Sequence, residues 1–234
     1  MAGTELLEWS GDRLVPAVGG DDPLLAADSW LVEHGRARGL ALHAERFTRA
    51  CAGTVPVARF WRAALDALPV ARFWRAALDA LPRDADLFPR VELVGAGELR
   101  LRIRPAPARG TSVRVLAPGR PDPRRWPRRK GPDLARLERL RERARALGAD
   151  DLLLTTAGGL LLESTTASLV WWEGETLCVP DEALPVLPGV TSRLIRAAAA
   201  RAGVVVRPRR ARLEDLHGHE TWLVNALHGI RPGT

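Results

Sequence analysis

A stretch rich in proline and arginine, Pro105 to Pro132, interrupts the periodic patterns on either side of it and limits the chain to two folding units. Proline fixes φ and removes a backbone donor, so neither a long helix nor a central strand runs through such a segment. The 234 residues suffice for one large domain or two small ones, and 46% hydrophobic content can fill a core in each. The expected division is a first domain over 1–117, a connection over 118–132 and a second domain over 133–234.

Short alternating segments dominate the first half. Leu6 to Trp9 and Arg13 to Pro16 flank the turn Ser10-Gly11-Asp12, and Ser29 to Glu33 pairs with Ala37 to Leu42 across His34-Gly35-Arg36. A helix is expected from near His43, strands over 91–95 and 98–104, and another over 111–116. The second half opens with a helix over 133–147, whose apolar positions Leu134, Leu137, Leu140, Ala144 and Leu147 keep helical spacing before Gly148. Strands follow over 151–155, 160–164, 168–172 and 176–179, a helix over 191–202, and strands over 204–207 and 221–225. Strand-rich halves with segregated helices predict two α+β domains, not a doubly wound sheet.

The thirteen residues Val57 to Pro69 recur unchanged as Val70 to Pro82. Each copy is amphipathic, with Val57, Phe60, Trp61, Ala64, Leu65 and Leu68 on one helical face of the first. An offset of thirteen residues rotates the second stripe by roughly 140°. Pro69 also breaks the hydrogen-bond ladder, so two helices or a sharp bend are expected.

Lysine occurs once, at Lys130, although lysine and arginine total 35 and the net charge is +7. Arginine supplies charge but cannot act as a primary amine, so one retained lysine draws attention to amine chemistry. The densest basic cluster is Arg124, Arg125, Arg128, Arg129 and Lys130, with Trp126 inside it. No zinc-finger, RNP-type or helix-turn-helix pattern accompanies it, so a solvated basic surface is expected and nucleic acid is not the expected partner. Cys51 and Cys178 fit neither a disulfide framework nor a metal motif. The start Met-Ala-Gly-Thr-Glu shows no leader pattern and no apolar run reaches membrane-spanning length. A reduced, cytoplasmic protein with no bound metal is expected.

Around the lysine stands Arg129-Lys130-Gly131-Pro132-Asp133, followed by Leu162-Glu163-Ser164-Thr165-Thr166 at a strand end and Leu187-Pro188-Gly189-Val190-Thr191 opening a helix. His43-Ala44-Glu45-Arg46 lies upstream and Asn225-Ala226-Leu227-His228-Gly229-Ile230-Arg231-Pro232 near the end. With a pyridoxal 5′-phosphate cofactor each piece has a use. A lysine amine condenses with the aldehyde, a glutamate keeps the pyridine nitrogen protonated, and a helix start offers N–H groups to phosphate.

In order and spacing the set resembles the class IV aminotransferases, or fold-type IV pyridoxal-phosphate enzymes. These include branched-chain aminotransferases, D-amino-acid aminotransferases and aminodeoxychorismate lyases. The resemblance runs from Asp28 to Pro232. It implies an N-terminal α/β sandwich, a C-terminal barrel-like α/β domain, cofactor bound between them, and a homodimer. It makes Lys130 the catalytic, cofactor-bearing lysine and Glu163 the pyridine partner. Arg46, Gly189, Val190 and Thr191 go to the phosphate and Leu187 to the ring, with Thr165, Thr166 and Ala226 completing the cofactor-binding set. Asp133 and Ser168 stand where the family often has Asn, and the chain has no tyrosine.

The tail Asn225-Ala226-Leu227-x-Gly-Ile-x-Pro resembles the aminodeoxychorismate lyases, whereas transaminases more often place small hydroxyl residues there. The implied reaction converts 4-amino-4-deoxychorismate to 4-aminobenzoate and pyruvate, a step of folate biosynthesis. An aminotransferase acting on an amino acid and a 2-oxo acid is the alternative, and a non-catalytic relative a further one.

Overall fold

The computed structural model describes residues 4–52, 60–95 and 97–234, with the side chains of 60–69 outside the description. The polypeptide divides into two compact units: one of residues up to Ala108 together with Arg129–Pro132, the other of Arg109–Arg128 with Asp133–Thr234. The expected connection over 118–132 is divided between them, 118–128 with the second unit and Arg129–Pro132 with the first. Most of it folds with the second unit, where Asp122 N–H donates to the Thr155 carbonyl at 2.8 Å and Val113 N–H to the Pro232 carbonyl at 3.0 Å. Proline kept the segment out of helices and long strands, but its polar groups still found partners.

The first unit is a five-stranded sheet in the order β2-β1-β7-β6-β3. Its strands are β1 (Glu5–Ser10), β2 (Arg13–Pro16), β3 (Leu24–Ser29), β6 (Arg90–Val94) and β7 (Glu98–Ile103), every neighbouring pair antiparallel. Between β3 and β6 in sequence come the small hairpin β4 (Val32–Glu33) and β5 (Arg36–Ala37), then α1 (Leu40–Ala52) and α2 (Phe60–Asp79). The hairpin turns on His34 and Gly35, both at positive φ (48° and 70°), the geometry of a two-residue turn that matches strand twist. It is shorter than expected, since 40–42 belong to α1. The core joins Trp30, Phe47, Phe73, Trp74 and Ala77 to the strand residues Val91 and Leu101.

Of the two forms expected for the duplicated segment, two helices or a sharp bend, the first is corrected: one helix runs through Pro69. An interior proline costs about 3 kcal/mol. The second copy offsets it by burying Val70, Phe73, Trp74 and Ala77, with Trp74 stacked 4.8 Å from Trp30. Burial of a large apolar side chain contributes roughly 1.5–3 kcal/mol. Of the first copy's expected apolar face, Val57 lies outside the described residues, as do the side chains of Phe60, Trp61, Ala64, Leu65 and Leu68.

The second unit contains β8 (Val115–Leu116), α3 (Leu134–Ala146), β9 (Asp151–Thr155), β10 (Leu161–Ser164), β11 (Ser168–Glu173), β12 (Thr176–Pro180), α4 (Val190–Arg201), β13 (Val206–Arg209), β14 (Thr221–Asn225) and β15 (Gly229–Pro232). Its eight-stranded sheet runs β13-β12-β11-β10-β9-β8, with β14 pairing to β11 and β15 to β14. The strands are antiparallel apart from the pairs β12–β13 and β8–β9, and the sheet curls into a half-barrel, as expected for this half. Leu153, Leu161, Leu169, Trp171 and Leu223 fill one face, and Val170, Leu177 and Val224 pack on the other with α4 residues Ile195 and Ala199.

Candidate active site

In the first unit the organising strand is β3, which the alternation pattern missed because its sequence Leu-Leu-Ala-Ala-Asp-Ser is buried along most of its length. Asp28, fully buried, faces α1, where His43 and Arg46 stand three residues apart and so share a face. Arg46 donates through Nε and Nη2 to the two Asp28 oxygens, each at 2.8 Å, and His43 Nδ1 lies 2.7 Å from Oδ1. Burial works to raise the Asp28 pKa, but the Arg46 guanidinium and the His43 bond outweigh it and hold the carboxyl below its usual range. The next residue along the strand, Ala27, donates its N–H to the Lys130 carbonyl at 2.8 Å. Gly131 then lies so close to β3 that a Cβ would fall 2.7 Å from Ala27 N. Two residues singled out in the sequence, Lys130 and Arg46, are thus fastened to adjacent positions of one strand.

In the second unit Arg124, the first member of the basic cluster, is not solvated, which corrects that expectation for this residue, while Arg125 and Arg128 are exposed. The Arg124 side chain is 5% exposed and donates to Glu163 Oε1 at 2.6 Å and to both oxygens of Asp122. It also reaches the carbonyls of Pro127 and Pro185. Arg128 donates to the carbonyls of Glu182, Ala183 and Leu184. Glu163 Oε1 also accepts the Leu187 N–H at 2.8 Å, while Oε2 takes no hydrogen bond from the described residues. Burial raises the Glu163 pKa above its usual range, against the pull of Arg124 and the Leu187 N–H. Asp133 accepts the backbone N–H groups of Arg125 and Trp126, so this carboxylate pins the loop ahead of α3.

The hydroxyl-rich turn after β10 is built around Asp151, buried at the start of β9. Its carboxylate accepts the hydroxyls of Ser164, Thr165 and Thr166 and the N–H of Thr165. The hydroxyl protons of Thr165 and Thr166 are therefore committed inward. Gly189 caps α4, and a Cβ there would collide with Ser168 Oγ, so glycine lets the helix start, Val190 and Thr191, approach β11 closely. Asn225 donates to the Thr166 carbonyl at 3.3 Å and accepts the N–H groups of Leu227 and His228, which folds the turn containing Ala226 against the Thr166 turn.

Sequence reasoning passed over Asp28, Asp122 and Asp151. The available signal was an acid set within or directly before an apolar run, Leu24 to Trp30 and Asp151 to Leu154, where a carboxylate needs partners to be buried. Among the described residues, no group of three His, Cys, Asp or Glu side chains is arranged to hold a metal ion.

The family model described as amino-transferase class IV matches residues 25–234. The chain belongs to the class IV aminotransferases, and it is a pyridoxal-phosphate-dependent enzyme. Solved structures share the fold. An aminotransferase from Brucella abortus bound to PLP superimposes with a TM-score of 0.75 at 18% identity, covering 98% of this chain and 91% of that one. A candidate branched-chain amino acid aminotransferase from Thermotoga maritima gives 0.76 at 16%, covering 97% and 86%. A candidate 4-amino-4-deoxychorismate lyase from Legionella pneumophila gives 0.73 at 18%, covering 95% and 88%. No curated protein matches the chain.

Proposed function

We propose that this enzyme is a lyase that releases 4-aminobenzoate and pyruvate from 4-amino-4-deoxychorismate. The observation that carries the choice is the turn Asn225-Ala226-Leu227, closed by Asn225 and tied to the Thr166 carbonyl, in the lyase-like tail. Solved structures of similar fold include two described as candidate aminodeoxychorismate lyases.

The residues suit the cofactor. Lys130 carries the only side-chain primary amine. Glu163 is a buried carboxylate with one oxygen engaged and Oε2 available to hold a proton on the pyridine nitrogen. Gly189, Val190 and Thr191 would supply a helix start and a hydroxyl for phosphate, and the family resemblance assigns Arg46 as a charged contact for it. Leu187 would pack on the ring, with Thr165, Thr166 and Ala226 completing the cofactor-binding set. When bound, the cofactor supplies an aldehyde that engages the substrate amine and a ring that draws electron density from it. Lys130, as a free amine, would take the ring proton of the substrate as general base; the electron pair would aromatise the ring as the C–O bond to the enolpyruvyl group breaks, and the departing enolate would take up that proton to become pyruvate. A cytoplasmic homodimer accompanies this reading; among the described residues no helix is long and apolar enough to cross a membrane.

The test supplies aminodeoxychorismate to the loaded enzyme without any 2-oxo acid. Release of 4-aminobenzoate and pyruvate is the expected result. Conversion of the cofactor to its pyridoxamine form by an amino acid alone, with no 4-aminobenzoate, would establish the aminotransferase reading. Neither reaction would leave a non-catalytic relative. Borohydride reduction and peptide mapping should label Lys130.

A further inference from the structure

Arg231 lies in β15 directly opposite Leu223 of β14, and residues opposed across a strand pair share a face. Leu223 is fully buried, and Arg231 itself is 5% exposed. Its Nε nevertheless meets no hydrogen-bond partner, and the side chain makes no ion pair with the described residues. This departs from the treatment of the other buried arginines. Arg46, Arg100 and Arg124 each reach a carboxylate.

The surroundings of Arg231 are backbone and charges of both signs, with Asp151 and Asp150 as well as Arg141 near enough to act on it. Arg231 Cδ and Nη1 pass Gly110 at 4.0 Å from where a Cβ would project, so the guanidinium lies along the backbone of that loop. Gly110 N–H donates to His228 Nδ1 at 3.1 Å, which keeps that nitrogen an acceptor. Arg141 and Arg109 lie near enough to depress the His228 pKa further after burial, and Arg141 acts likewise on Arg231. Asp151 and Asp150 compensate it without contact: the Asp151 oxygens are occupied by the Ser164, Thr165 and Thr166 hydroxyls, and Asp150 is held by Arg114.

A buried guanidinium whose Nε finds no acceptor, and to which neither nearby aspartate bonds, awaits an anion. We propose that Arg231 is the anchor of a carboxylate-binding subsite, bounded by Gly110, His228, Arg141 and Arg109. The planar fork of arginine matches a carboxylate through two parallel bonds. A carboxylate group brings one charge to the fork where a phosphate group brings up to two, so it meets less repulsion from the nearby Asp151. The subsite adjoins the Asn225–Leu227 turn through His228, whose N–H is held by Asn225. Assignment of the carboxylate to the enzyme's own amine substrate rests on the function proposed above, and it makes that substrate an acid.

The experiment is calorimetric titration of the cofactor-loaded protein with malonate, an unreactive carboxylate probe, in wild type, Arg231→Met and Arg231→Lys. Loss of a paired, charge-assisted contact should weaken malonate binding by roughly tenfold or more in Arg231→Met, with partial recovery in Arg231→Lys. Without malonate, Arg231→Met should melt at the wild-type temperature or above it, because the variant removes an unpaired buried charge. A structural arginine would behave in the opposite way, lowering the melting temperature and leaving malonate affinity unchanged; that outcome overturns the subsite. Inorganic phosphate binding as tightly as malonate would overturn the preference for carboxylate. Malonate is not turned over. Unaltered malonate affinity in Arg231→Met alongside normal 4-aminobenzoate release therefore sinks the subsite alone, whereas lost affinity without 4-aminobenzoate release sinks only the lyase.

Discussion

Replacing Arg124 by methionine removes the cation that compensates two buried carboxylates, Asp122 and Glu163, while keeping most of the side chain's volume. At the observed 2.6 Å, a unit charge pair at an effective dielectric near 20 attracts by about 6 kcal/mol. Desolvation of both ions cancels part of this, and removing one partner of a buried pair costs about 3–5 kcal/mol. Glu163 keeps only the Leu187 N–H, so its carboxyl, already raised by burial, moves further up. The sign follows from linkage. A carboxyl that protonates more easily folded than unfolded penalises folding increasingly as pH climbs from the unfolded pKa to the folded one. Arg124→Met should therefore be most destabilised near neutrality and recover towards pH 5. Urea unfolding followed by tryptophan fluorescence measures the loss, and Glu163→Gln completes a double-mutant cycle, in which a coupling of about 2 kcal/mol or more is expected. A loss below about 1 kcal/mol, the level of exposed ion pairs, with additive effects in the cycle, would refute the reasoning and return Arg124 to the solvated surface.

Gly131→Ala places a Cβ 2.7 Å from Ala27 N at a φ of 128°, against backbone that cannot yield cheaply. A loss of about 2–4 kcal/mol, or cofactor retention reduced through a displaced Lys130 segment, is expected in unfolding and in absorbance of the purified protein; unchanged values in both would refute it. Burial and the arginines around His228 lower its pKa to about 4. The unfolded chain takes up that proton first as pH falls, so stability should decline from about pH 6.5 towards pH 4, by about 1 kcal/mol after allowance for its partial exposure. His228→Asn should flatten that slope, and an imidazole titrating near 6.5 by NMR would count against the assignment.

Much of the second unit was legible because its elements obey their periods. Helix α3 and strands β9 to β12 lie within a residue or so of their expected limits, each bounded by glycine or a polar turn. Strand β3 escaped notice because both of its faces are buried, which erases the alternation that marks a half-exposed strand. Helix α2 was misjudged at Pro69 because a local rule was weighed without the packing of Phe73 and Trp74 that outbids it. The motif residues could be picked by type and spacing. Their supports could not: Asp28 beneath Arg46 and Asp122 beside Arg124 are long-range or loop pairings that no short pattern encodes.

Those supports explain how a chain with thirty-five basic residues and one lysine keeps its charges ordered. An arginine takes its role here from the carboxylate it meets. Asp28 fixes Arg46 in place, while Glu92 gathers Arg90 and Arg102 on the sheet. Asp122 and Glu163 draw Arg124 out of solvent, and the bond leaves Glu163 with a single oxygen to offer. Arginine can fill every such post because each asks only for permanent charge and directed N–H groups. Lys130 is held by its backbone carbonyl on β3, so that bond makes no demand on its side chain. In the function proposed above that side chain acts as an amine, a task arginine cannot take over.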